Sequence, residues 1–192
     1  MDMDVTYPSS CCSKTRFRGF TLIELLAAIA MATILLGIAT PSLSALVQNS
    51  RQTGLINHLV SHFNYARTEA IKRRLNVMVC KSQDGIACTT AGNWEEGWIL
   101  FVDNDNDRQH STTEALLSIQ ESLGDDLSIT YSAFPSDNYV VYYPTGTSLG
   151  NGTFTFCDSR GQDHAKAVVL LKTGRLRLAR TMPDGSPLQC DT

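Results

Sequence analysis

The chain has 192 residues, 43% of them hydrophobic, and a formal net charge of -3. That length leaves room for one modest globular body beside a leader and an anchor. The acidic balance excludes a global attraction to nucleic acid, so any such contact must come from a local basic patch.

Residues 1–19 read as a short leader with a basic end, Lys14, Arg16 and Arg18, and two cysteines, Cys11 and Cys12. Its removal leaves 13 basic and 17 acidic side chains. From Phe20 to Ala39 the sequence is almost wholly apolar, with Glu24 as its only charge. This predicts a transmembrane helix over 20–42, because roughly 20 apolar residues in helix cross a bilayer. The basic flank favours a cytoplasmic N-terminus and places the rest of the chain across the membrane. No Ala-x-Ala-like site follows the run, which argues against an ordinary secretory signal. Glu24 needs a reason, since a carboxylate near mid-membrane costs about 2.5–3.5 kcal/mol on insertion scales. A processed amino terminus at Phe20 on a neighbouring subunit would pair with it; hydration at the interface is the bland alternative.

The run Arg18-Gly19-Phe20-Thr21-Leu22-Ile23-Glu24-Leu25 resembles the class III leader of type IV prepilins and type II secretion pseudopilins. The resemblance implies cleavage after Gly19 by a prepilin peptidase, methylation of Phe20 by the same enzyme, and a role for Glu24 in subunit addition. Pro41 falls where that family often kinks its helix.

Residues 43–74 carry an amphipathic continuation of the helix. Leu55, Leu59 and Phe63 repeat at i, i+4 and i+8; Ile56 and Val60 widen the stripe, and Ala66, Ala70 and Ile71 extend it. That is the pattern of a helix laid on a core. Bends are expected at Pro41 and Gly54. His58 and His62, at i and i+4, read as surface histidines rather than metal ligands. Arg67, Lys72, Arg73 and Arg74 suit a helix C-terminus.

Residues 75–192 read as strands and turns. Strands are predicted at 75–80, 94–103, 115–120, 128–132, 139–143, 153–157, 167–171 and 175–180, separated by Gly, Asn, Asp and Pro. The fold expected is α+β, a long N-terminal helix with these strands in one or two sheets against it. Gly97-Trp98 with Phe101-x-Asp103 and Asn106 resembles the GspH/FimT family of minor pilins and minor pseudopilins, and the resemblance implies a pilin-like fold in which the long helix packs against a C-terminal domain of two antiparallel β-sheets.

Asp103, Asp105, Asp107 and Glu114 match positions 1, 3, 5 and 12 of a calcium-binding EF-hand loop. Arg108 stands where such loops need Gly, and the flanks read as strands. An acidic inter-strand loop without metal is therefore the reading.

Cys80, Cys88, Cys157 and Cys190 are even in number and suit two disulfides in an oxidising space. A four-thiolate zinc site would want close C-x-x-C pairs, which are absent. Sequence alone leaves three pairings. Cys80 with Cys88, closing a short loop, and Cys157 with Cys190, tying the tail, are favoured.

At the C-terminal end, Lys172-Thr173-Gly174 reads as a turn. Beyond it, Arg175 and Arg177 share one face of a strand, with Leu176 and Leu178 toward the core. The element Gly174-Arg175-Leu176-Arg177 is similar to the Gly-Arg-x-Arg element of FimT-type minor pilins, which implies sequence-independent contact with double-stranded DNA. Lys172 and Arg180 join the candidate ridge by proximity.

The body has only His110 and His164 and shows neither a nucleophile–base spacing nor a phosphate-cradling Gly loop. No enzymatic function and no cofactor is expected. Two functional readings remain: a FimT-like minor pilin of a type IV pilus, or minor pseudopilin H of a type II secretion system. The partners implied are the prepilin peptidase and N-methyltransferase, other minor subunits, the major subunit, the inner membrane and, for the first reading, DNA.

Overall fold

The computed structural model describes residues 19–124 and 126–190, and the backbone alone over 38–42. Cys11, Cys12 and the basic end of the leader lie outside the described residues, and Pro41 lies outside the described side chains. The chain divides into two compact units that meet at Leu46 and Val47. One helix, α1 (Leu22–Arg73), runs through both.

In the first unit α1 opens at Thr21, whose carbonyl oxygen and Oγ1 both accept from the backbone N–H of Glu24, at 3.1 and 3.4 Å. Glu24 sits in the first turn, where a carboxylate complements the positive end of the helix dipole. Thr21-x-x-Glu24 is also the spacing of a capping box. From Phe20 to Leu36 the large apolar side chains are exposed. Side chains of the apolar run are described only to Gly37, and among the described residues no helix is long and apolar enough to cross a membrane.

The second unit is built of two antiparallel four-stranded sheets against the later part of α1. The first sheet has β1 (Asn76–Lys81), β2 (Trp98–Asp103), β3 (Leu116–Gln120) and β5 (Tyr139–Tyr142), in the order β3-β2-β1-β5. The second has β4 (Leu127–Phe134), β6 (Asn151–Asp158), β7 (Lys166–Leu170) and β8 (Leu176–Ala179), in the order β4-β6-β7-β8. The eight sequence-predicted strands are all present, with shifted ends. Trp94-Glu95-Glu96 is the exception: it forms a 3-10 turn before β2 rather than the start of a strand. Glu96 explains why, since its Oε1 accepts the backbone N–H of Asn93 at 3.1 Å and closes that turn.

The main core joins the helix to both sheets. Ile56, Leu59, Phe63, Ala66 and Ala70 of α1 are buried against Val77 and Val79, Trp98 and Leu100, Ile129 and Tyr131, Phe154 and Phe156, and Val168 and Leu170. Ile71, predicted to extend this stripe, is exposed instead. Gln52 continues it: buried, it donates through Nε2 to the carbonyls of Phe156 and His164 at 3.2 and 3.1 Å, while its Oε1 has no hydrogen-bond partner among the described residues.

Each sheet also buries part of its outer face. Met78, Cys80, Ile99, Phe101 and Val141 form one outer cluster, and Cys157, Ala165, Ala167 and Leu188 the other. The covers are loops rather than helices, and a disulfide fastens each. Cys80 is bonded to Cys88, with Cα atoms 5.6 Å apart, and Cys157 to Cys190, at 5.8 Å. This is why β1 and β2 are buried on both faces yet belong to antiparallel sheets.

Candidate functional site

Two inter-strand connections of the second unit concentrate charge. The first is the β7–β8 hairpin. Leu171 donates its N–H to the carbonyl of Arg175 at 2.9 Å, and Gly174 donates to Leu171 at 2.8 Å, which folds Lys172-Thr173-Gly174 into a tight turn. Gly174 has φ +76 and is buried; a Cβ there would stand 2.1 Å from the carbonyl oxygen of Gly146. Only glycine meets both conditions. The glycine of the Gly-Arg-x-Arg element therefore sets the backbone.

The turn is docked as well as closed. Ser148 donates its N–H to the Lys172 carbonyl at 3.1 Å and its Oγ to the Leu171 carbonyl at 3.0 Å. Arg67 of α1 donates Nε to the Gly146 carbonyl at 2.7 Å and Nη2 to the Thr173 carbonyl at 3.4 Å. Arg67, read as a helix-end charge in the sequence, is thus a clamp between helix and hairpin.

From this fixed backbone Lys172, Arg175 and Arg177 project as exposed side chains. Among the described residues none of them forms an ion pair. Arg177 pairs with Val169 on β8, the edge strand of its sheet. The structure corrects the other face. Leu176 is half-buried against the core, but Leu178 is 62% exposed. Opposite Leu178 the helix offers Thr53, Ile56 and Asn57, and a groove of about 370 Å³ remains between them, with Lys166, Ala179 and Arg180 completing its lining. Arg180 lines this groove with Leu178.

The second connection is the acidic one between β2 and β3. One carboxylate oxygen from each of Asp103, Asp105 and Glu114 lies within 4.8 Å of the other two. Asp107 is outside that trio; its Oδ1 accepts the N–H of Gln109 at 2.7 Å. Glu114 is buried and held by backbone donors, Oε1 by Asn104 at 2.8 Å and Oε2 by Ser111 at 3.0 Å. Asp103 is 2% exposed. Burial, with the nearby Glu114 carboxylate adding to it against backbone donors of the loop, pushes its carboxyl above the usual range. Arg108 takes a left-handed conformation, φ +66. Its Nη1 donates to the Tyr139 hydroxyl at 2.9 Å, and its guanidinium lies 5.4 Å from that ring's centre.

The histidine pair also differs from its reading. His62 is half-buried, and its Nδ1 accepts the Trp98 Nε1 proton at 3.1 Å. Its ring centre is 4.4 Å from that of His58. Burial and then the charge of His58 hold the His62 imidazole below its ordinary value. The structure therefore gives His62 a packing role beneath Trp98. Gly97, beside that tryptophan, has φ +124, and a Cβ would stand 2.6 Å from the Gln120 carbonyl oxygen, which accounts for Gly97-Trp98 as a pair.

Residues 55–174 match the family model of type II transport protein GspH. Residues 14–40 match the prokaryotic N-terminal methylation motif. Among solved structures, the type IV minor pilin FimU of Pseudomonas aeruginosa superposes with a TM-score of 0.55 at 17% identity, over 74% of this chain and 96% of that one. The minor pseudopilin EpsH from the Type 2 Secretion System of Vibrio cholerae gives 0.47 at 13% identity, over 64% of this chain and 91% of that one. No curated protein matches the sequence. The family match ends at Gly174, so Arg175 and Arg177 lie just beyond it.

Proposed function

Because this chain belongs to the family of type II transport protein GspH, whose members are pilin-type structural subunits rather than enzymes, we propose that it is a FimT-like minor pilin of a type IV pilus that contacts DNA during uptake. The carrying observation is the hairpin: a backbone pinned by Gly174, Ser148 and Arg67, with Lys172, Arg175 and Arg177 exposed and without ionic partners among the described residues. Guanidinium groups free of carboxylates suit phosphate, and phosphate contact carries no base code. On this reading the DNA is bound irrespective of sequence, weakly per subunit and with strong salt dependence.

The rest of the chain serves placement. The prepilin peptidase cuts between Gly19 and Phe20 and methylates Phe20. Residues 20–42 anchor the subunit in the inner membrane, the N-terminus on the cytoplasmic side and the disulfide-bearing body in the periplasm. Glu24 pairs with the amine of a neighbouring subunit as the filament grows. The N-terminal methylation motif supports the processing step.

The second reading, minor pseudopilin H of a type II secretion system, is favoured by the description of the family itself. Titration of the full chain in detergent micelles with labelled duplexes of unrelated sequence tests the choice. Binding is expected to all duplexes, and Arg175→Gln with Arg177→Gln is expected to lower the slope of log affinity against log salt by about 0.9 per lost phosphate contact. An unchanged slope in the double variant would reject the ridge; absence of binding by the parent would favour the secretion reading.

A further inference from the structure

Four carboxylates fall within the twelve residues from Asp103 to Glu114, and among the described residues none of them has an ion-pair partner. The one cation within reach by sequence, Arg108, points to Tyr139 instead. Asp103 is the telling member. At 2% exposure, its Oδ1 finds no hydrogen-bond donor among the described residues. A buried, unpartnered carboxylate oxygen is costly, and its usual solutions are a cation or a proton.

We propose that the β2–β3 connection is a calcium site, with Asp103, Asp105 and Glu114 as its carboxylate ligands. Two oxygens each bound at 2.3–2.6 Å to one ion can stand at most about 5 Å apart, and the three carboxylates meet that limit at 4.8 Å. The donors are all oxygen, which selects hard cations over zinc or copper. Irregular spacing and a loop scaffold favour calcium, with its variable shell of six to eight oxygens, over the strict octahedron of magnesium.

The objection raised by Arg108 falls away in the fold. Calcium loops place glycine at the sixth position to make a sharp turn, and Arg108 makes a left-handed turn at that position itself. Strands rather than helices flank the loop, so only the loop chemistry is shared with an EF-hand. Glu114, held by two backbone donors, is preset before any ion arrives.

The test uses the full chain in detergent micelles, stripped with chelator. Calcium chloride is titrated by calorimetry up to about 10 mM, above the range of weak extracellular calcium modules, and melting is followed in parallel. A saturable heat and a melting temperature that rises with calcium are expected, because an ion bound only by the native state stabilises it. Asp105→Asn keeps the side-chain acceptor of an exposed residue, so it should fold, and it is expected to weaken calcium at least tenfold. Asp163→Asn, an exposed acid outside the loop, should leave affinity unchanged, and magnesium should bind at least tenfold more weakly than calcium. No heat and no melting shift in the parent would overturn the proposal. Equal losses in Asp105→Asn and Asp163→Asn would overturn it too, as would an equal response to magnesium.

Discussion

The β7–β8 hairpin and the β2–β3 loop solve opposite problems. In the hairpin the backbone is buried and the charges are outside: Gly174 is enclosed by Gly146 and Arg67, while Lys172, Arg175 and Arg177 stand in solvent. In the loop the charges are drawn inward: Asp103 and Glu114 are buried, and much of the backbone between them is exposed. Exposed charge needs no partner, so the hairpin keeps its cations available. Buried charge does need one. Glu114 receives two backbone donors, and one oxygen of Asp103 receives none among the described residues.

The largest way to break this contrast is to attack the hairpin backbone. Gly174→Ala puts a methyl group 2.1 Å from a carbonyl oxygen and a non-glycine residue at φ +76. A loss of about 2–3 kcal/mol is expected, read as a lower midpoint in urea at unchanged slope. The next effect has the opposite sign. Asp103→Asn removes a buried charge with one unpartnered oxygen, so in chelator it should raise stability by up to about 1 kcal/mol. In calcium the ranking should invert, because the parent gains the ion and the variant does not. A variant less stable than the parent in both conditions would show that the Asp103 charge is already satisfied by the loop.

Much of this architecture was legible in the sequence because periodicity reports burial. Leu59, Phe63, Ala66 and Ala70 mark the buried stripe of α1, and the alternating apolar runs mark the strands. Alternation reports only which way a side chain points. Leu178 has the parity of Leu176, yet on an edge strand opposite Thr53 and Asn57 it is left uncovered among the described residues. Gln52 broke the apolar pattern and was invisible as a core residue, since its acceptors on Phe156 and His164 are distant in sequence. Arg67 was misread for the same reason. The acidic spacing of 103–114 was visible, but the deciding facts were not: Arg108 accepting a left-handed backbone, its side chain leaving for Tyr139, and one oxygen of Asp103 being sealed without a donor among the described residues.

A smaller effect concerns His62, which lies between the two extremes: half-buried, with one defined partner. Its protonation is disfavoured in the fold, so below its ordinary value of 6.5 the unfolded chain binds the proton first. Its contribution to stability is therefore complete above pH 6.5 and is lost as pH falls through the depressed native value. Protonation at Nδ1 would also remove the acceptor for Trp98. Melting between pH 7.5 and 5.5 should show this slope in the parent and less of it in His62→Gln, which retains an acceptor. Equal slopes would place the acid sensitivity elsewhere.

The smallest expected effect is the sharpest test of the contrast. Arg175→Gln with Arg177→Gln removes two positive charges from a body with an acidic balance, so simple charge counting predicts lower stability. The structure predicts otherwise. Both side chains are exposed, neither forms an ion pair among the described residues, and the hairpin is held by main-chain groups, Ser148 and Arg67. Surface substitutions of this kind stay within about 0.5 kcal/mol. The double variant should match the parent's midpoint and slope in urea, while Arg67→Gln, which removes the clamp beneath the same turn, should lower the midpoint. If the exposed pair destabilised as much as the clamp, the ridge would be part of the scaffold. Its availability to an external phosphate would then come at the expense of the fold, and the division between a fixed backbone and free charges would fail.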